Sequence, residues 1–386
     1  MQANPRQKDV STLAVLWLAL SIGAVAFGGG FAIIARIKQK VVDEYGWMST
    51  EAFAAVLAVT AALPGTNAAN LMAVVGARQK GPLVGALAVF CFLLPGSILM
   101  LLLAASYGRL RGVPAVGAAL AGIAAAVVGI VAAVAEELRP AAVKRRLDLV
   151  VLVVTFGCLA TQVVGLLELV VLAGLYGVFV HGPVLTRERQ VSRERVDDPS
   201  FFLLAAPAAV PLSAGLFFSF AKISLATFGG GVAMIPAIER EVVGRGWVDG
   251  ASFSDAIAFS QLTPGPIAAC STFLGYRAAG LPGALAATAG VFLPPLILSL
   301  LVARSLPSLE ARPRLRAFFS GLSLAVVGAI LAAAYSVYRV GVHGVAATAF
   351  AVVVFGWRRW RPSDGTLWPL LAGATFGLLQ GHLRLP

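Results

Sequence analysis

Charged side chains are scarce in this sequence. Asp, Glu, Lys and Arg make up 12% of its 386 residues, about half the roughly 25% of a soluble domain. The chain therefore lacks the polar surface to cover a globule of its size. Histidine and cysteine are nearly as rare, with three of each. Cys91, Cys158 and Cys270 lie inside apolar runs without a CxxC pair, which indicates neither a disulfide framework nor a metal knuckle. His181, His343 and His382 are scattered near segment ends without metal spacing, and no nucleophile–base constellation accompanies them. GxGxxG is also absent, and no βαβ pattern surrounds the glycine-rich stretches. No enzyme activity, metal or cofactor is expected. A cleavable signal peptide is not evident either, because the first apolar run flows into a glycine triplet with no small-residue cleavage site behind it.

What is abundant is apolar sequence, at 59% of the chain. Leu83–Tyr107, Ala115–Ala135 and Leu281–Ala303 each reach the ~20 residues that cross a bilayer. The expected fold class is an all-α polytopic membrane protein. In that setting the net charge of +12 reads as Lys and Arg in loops that face anionic lipid, and not as a nucleic-acid surface.

The chain repeats itself. Phe27-Gly-Gly-Gly30, Trp47, Phe53, Pro64-Gly65, Arg78 and Pro95 recur in the same order as Phe228-Gly-Gly-Gly231, Trp247, Phe253, Pro264-Gly265, Arg277 and Pro294, at offsets of 199 to 201. This is an internal duplication. The expected division is a first repeat over residues 1–181, a charged linker on the cytoplasmic side over 182–199, and a second repeat over 200–386. Within the first, a span is expected over Thr12–Phe31. A charged amphipathic piece runs to the interfacial anchor Trp47, and two short helices, Phe53–Leu63 and Ala68–Ala77, are hinged at Pro64-Gly65. Spans follow at Leu83–Tyr107 and Ala115–Ala135, and Leu147–Val180 makes two crossings with a turn near Gln162 and Gly165. The second repeat reads the same way, with a span over Leu203–Gly231, broken helices Phe253–Thr263 and Ile267–Ala279, and four further spans. If each hinged pair enters and leaves on one side, each half crosses five times and the second must be inverted. The basic residues agree. In that arrangement 20 of the 30 Lys and Arg fall on one side and 9 on the other, leaving Lys222 inside a span.

Inverted repeats with a Gly/Pro-interrupted short helix at matching positions are the mark of a secondary transporter. Helices that end within the membrane leave unpaired N–H groups and positive dipole ends that attract anions. The candidate substrate-binding residues are therefore Gly28, Gly29, Gly30, Gly229, Gly230 and Gly231, with Pro64, Gly65, Thr66, Asn67, Thr263, Pro264, Gly265 and Pro266 at the breaks. Tight helix packing is the alternative for the glycines. Lys222 supplies an intramembrane cation for an anionic substrate, or else snorkels to the interface. Arg78 and Arg277 each follow a broken helix and offer a second cation, or a plain interfacial charge. Asn70, Gln261 and Ser271 either bond an oxyanion or satisfy freed backbone. Glu44, Glu239 and Glu241 are candidates for proton coupling, or solvated members of charged segments.

The run Phe220-Ala-Lys-Ile-Ser-Leu-Ala-Thr-Phe-Gly-Gly-Gly231, with Trp247, Thr263-Pro-Gly-Pro266, Thr272-Phe-Leu-Gly-Tyr276, Gly283-Ala-Leu-Ala-Ala-Thr288 and Phe292-Leu-Pro294, closely resembles the chromate ion transporter family in its two-domain form. The resemblance covers nearly the whole chain. In the first half the family usually has Phe-Gly-Gly-Pro and Pro-Gly-Pro, where this chain has Phe27-Gly-Gly-Gly30 and Pro64-Gly-Thr-Asn67. The resemblance implies export of chromate, a sulfate-like dianion, across the cytoplasmic membrane, with chromate resistance as the outcome. Another small inorganic or organic anion on the same scaffold is the alternative. The partners implied are the oxyanion and the lipid bilayer, with a homodimer left open.

Overall fold

The computed structural model describes residues 10–25, 29–61, 63–181, 211–303, 313–361 and 366–383. The charged linker expected at 182–199 and Gly28 lie outside them. Among the described residues the chain is helical, with no strand. In the first half α1 is Thr12–Val25, α2 Gly29–Lys38, α3 Thr50–Ala61, α4 Asn67–Lys80, α5 Pro82–Arg111, α6 Pro114–Ala142, α7 Arg146–Ala160 and α8 Leu166–His181. In the second α9 is Leu212–Ala226, α10 Ile235–Val242, α11 Gly250–Leu262, α12 Cys270–Ala303, α13 Pro313–Gly341, α14 Val345–Trp360 and α15 Leu367–Leu383. A π-helical turn at Gln39–Glu44 extends α2, and 3₁₀ turns at Gly231–Met234 and Ile267–Ala269 precede α10 and α12.

Among the described residues four helical stretches are long and apolar enough to cross a membrane: Pro82–Arg111, Pro114–Pro140, Ile267–Ala303 and Ser320–Gly341. Their boundaries follow local chemistry. Gly81 takes φ +91° and Pro82 opens α5, where the missing proline N–H is no loss. One offset later, α12 is interrupted at Ala279 and Gly280, the latter with φ +62°, so a short piece before Gly280 and a long one after it match the two segments expected there. Gln162, at φ +57°, turns the chain between α7 and α8, where the sequence places the turn. Of the first expected span, Thr12–Val25 and Gly29–Phe31 are helical, and residues 26–28 lie outside the described ones.

Packing repeats with the sequence. α1 lies on α5 as α9 lies on α12. α6 packs on α13, α14 and α15, while α13 packs on α6, α7 and α8. Glycines make both crossings close. A methyl on Gly122 would run into the Gly373 carbonyl, and one on Gly321 into the Ala173 carbonyl. Between apolar helices in lipid such small residues provide the attraction, since burial of apolar surface gains little there. The apolar helices make this a multi-pass membrane protein.

Candidate functional site

Three backbone breaks build the site. At the first, α3 ends at Ala61 and α4 begins at Asn67, with Gly65 at φ +96°. The Gly65 N–H donates to the Thr227 carbonyl at 2.7 Å, and the Asn70 side-chain amide donates to the Pro64 carbonyl at 2.9 Å. At the second, the Thr263 N–H closes α11 on the Phe259 carbonyl at 2.9 Å. Pro264-Gly265-Pro266 then leads into the 3₁₀ turn, with Gly265 at φ +106°. At the third, α9 ends before Thr227, and Gly229 and Gly230 take φ +85° and +105°. Only glycine reaches such angles without strain. Gly229 is pressed on Val326, so this triplet meets the packing demand and the backbone demand at once.

The breaks meet. A Cβ built on Gly231 would stand 3.1 Å from the Ala268 nitrogen and 3.5 Å from Thr66 Cγ2, between the two hinges. Gly65 faces Pro295 of α12, whose side chain would be 2.5 Å from a Cβ there. Gly96 of α5 faces the Pro264 carbonyl at the same separation. Each hinge thus rests on the proline-bearing stretch of the other half's long helix. Pro295 and Gly96 were not among the residues singled out from the sequence. Their signal was the Pro95/Pro294 landmark of the duplication.

Polar atoms around this junction are left over. Thr66 Oγ1, Asn67 Oδ1, Ser97 Oγ, Ser271 Oγ and Ser299 Oγ are buried without a hydrogen-bond partner among the described residues. The first-turn N–H groups and positive ends of α4 and α12 open at the same place. The segments 63–70, 94–100, 227–234, 263–272 and 294–300 contain neither acid nor base. Such a junction offers an anion hydroxyls and backbone N–H groups in a neutral, water-poor setting. Among the described residues no group of three His, Cys, Asp or Glu side chains could hold a metal ion.

The expected charges lie elsewhere. Lys222 is exposed, and it shares one sector of α9 with the exposed Phe218 and Leu225, while Phe220, Ile223 and Ser224 face inward. Arg78 and Arg277 are exposed near the far ends of the helices that leave the two breaks. Arg277 stacks over the Tyr107 ring at 5.0 Å. Glu44 is exposed and paired locally with Lys40 at 2.5 Å, as a solvated residue would be. Glu239 is not solvated: it is 1% exposed and holds Arg339 of α13 at 2.5 Å. Glu241 accepts from Ser219 of α9 at 2.6 Å and pairs with Arg245 at 2.8 Å. Both glutamates therefore fasten α10 to its neighbours.

One polar cluster was missed from sequence. The Tyr107 hydroxyl donates to Asp255 at 2.5 Å, which joins α5 to α11. Arg111 lies 3.6 Å from Asp249, the N-cap of α11. Burial raises the Asp249 carboxyl, but hydrogen bonds from the Ser252 hydroxyl and N–H, with Arg111 behind them, outweigh it and hold the group below the usual carboxylate range. An acidic residue inside a short apolar helix was the available signal for Asp255.

The comparisons with known proteins agree with one another. The family model described as Chromate transporter matches residues 13–178 and again 214–378. A chromate transport protein of Pseudomonas aeruginosa is 32% identical over 350 residues, 87% of this chain and 83% of its own. A chromate transport protein of Cupriavidus metallidurans is 28% identical over 327 residues, 81% and 79% of the two chains. An uncharacterized transporter of Methanocaldococcus jannaschii is 27% identical over 327 residues, covering 76% of each. No solved structure matches the chain.

Proposed function

The chain belongs to the chromate transporter family, and from that premise we propose that it is a secondary transporter that exports chromate across the cytoplasmic membrane and so confers chromate resistance. The observation that carries the reading is the meeting of both hinges at Gly231, where neutral donors converge between two helix N-termini. A sulfate-like dianion fits that chemistry, because such helix ends attract negative charge. Lys222, Arg78 and Arg277 add positive potential along the approach. Export is the favoured direction on energetic grounds. An inside-negative potential drives a dianion outward by about 4.6 kcal/mol per 100 mV.

The proposal includes two inverted repeats, 1–181 and 200–386, joined by the linker at 182–199. Two contacts support it. Leu300, near the end of α12, packs over Gly85 at the start of α5, although the two helices are equivalents in the duplication. Gly341, the last residue of α13, abuts Ala124 in the first half of α6, and these helices are equivalents too. Equivalent helices that pack antiparallel are what an axis in the membrane plane produces.

Inverted vesicles carrying the protein should accumulate radiolabelled chromate when the lumen is made positive, with sulfate competing. Accumulation of another anion, with chromate ignored, would move the substrate assignment within the scaffold. No anion flux above empty vesicles would end the transporter reading.

A further inference from the structure

A serine or threonine inside a buried helix has a ready partner in the carbonyl three or four residues before it. This chain uses that partner at Thr155, Ser224, Thr227, Ser260 and Thr288. Ser97, Ser271 and Ser299 also sit within helices, yet their hydroxyls are buried with no hydrogen-bond partner among the described residues, as is that of Thr66. Ser271 and Ser299 are 0% exposed and Thr66 is 4% exposed. Leaving a buried hydroxyl unpaired costs stability, so four around one junction call for a common reason.

Their places in the fold supply one. Thr66 is the N-cap of α4 at the first hinge and does not bond the helix it caps. Ser271 stands one turn beyond Ala268, the neighbour of Gly231. Ser97 follows Gly96, which rests on Pro264, and Ser299 lies one turn beyond Pro295, which rests on Gly65. Three helices thus bring hydroxyls to the two hinges, in segments without a carboxylate or a cation.

We infer that Ser97, Ser271 and Ser299, with Thr66, are donors that hold the transported ion, a fully deprotonated tetrahedral oxyanion, beside the opening N–H groups of α4 and α12. The inference rests on the oxyanion reading above. Recognition by neutral donors suits a transporter, whose ion must bind well enough to enter and weakly enough to leave. A salt-bridged site would hold the dianion too long.

The test is chromate and sulfate binding to the purified full-length chain in detergent, alongside its melting temperature without anion. Ser271→Ala and Ser299→Ala should each weaken binding about tenfold or more. Their anion-free melting temperature should hold or rise, since each removes an unpaired group. Ser224→Ala is the contrast, because that hydroxyl sits 3.0 Å from the Ala221 carbonyl and 3.2 Å from the Gly290 carbonyl. It should lower the melting temperature and leave anion affinity intact. Wild-type affinity in both Ser271→Ala and Ser299→Ala overturns the inference, as does a loss of binding that tracks a loss of stability. Wild-type protein that binds neither ion overturns the oxyanion reading itself.

Discussion

Lys222 and Glu239 both carry charge into an apolar molecule, and burial separates their roles. Glu239 is enclosed, and Arg339 compensates it while keeping its own side chain about half exposed, at 52%. Removing that arginine would strand a buried carboxylate, which is why such pairs are costly to break whatever their net worth. Lys222 has an exposed flank instead, between Phe218 and Leu225. We propose that from there the ammonium reaches the interface and acts through its field, which salt screens. Lys222→Met should therefore raise the chromate KM several-fold at low ionic strength, keep the maximal rate, and approach wild type in high salt. Vesicle flux at two salt concentrations reads this out. A maximal rate near background would instead put the ammonium in direct contact with the ion.

At the scale of elements, the glycines of the hinges answer to two demands that substitution can separate. Gly65 and Gly81 take nearly the same angle, φ +96° and +91°. A side chain on Gly65 would strike Pro295, whereas Gly81 has nothing within 4 Å. Alanine at either position costs on the order of 1–3 kcal/mol in backbone strain. Gly65→Ala should also push the first hinge off α12 and abolish transport, while Gly81→Ala transports normally at reduced stability. Equal transport in the two variants would sever the Gly65–Pro295 contact from function. Much of this architecture was legible beforehand. Pro64-Gly65 and Pro264-Gly265 each separate two short apolar runs, and the offset of about 200 marks both hinges, so α3, α4, α11 and the start of α12 fall where the sequence puts them. The contacts between halves were not legible. Nothing in Pro295 or Ser299 by itself says that it meets Gly65, because that pairing depends on how the two repeats are laid against each other. The burial of Glu239 was hidden for a similar reason: its partner lies 100 residues away on α13.

At the scale of the whole molecule, duplication and orientation are separate properties, and orientation decides what the two hinges can do. Parallel halves would present equivalent loops on one face. Halves related by an axis in the membrane plane present them on opposite faces, with the hinges near the middle. The antiparallel contacts of α5 with α12 and of α6 with α13 favour the second arrangement, and so does the gathering of basic residues on one side. Two pairs of equivalent, exposed positions test it: Tyr45 with Arg245, and Lys144 with His343. Each would be replaced singly by cysteine in a chain whose Cys91, Cys158 and Cys270 have been changed to alanine. Arg245→Cys and His343→Cys should react with a membrane-impermeant maleimide on intact cells. Tyr45→Cys and Lys144→Cys should react only once the membrane is opened. If both members of either pair label from the same side, the halves are parallel, and a shared junction at mid-membrane loses its geometric basis.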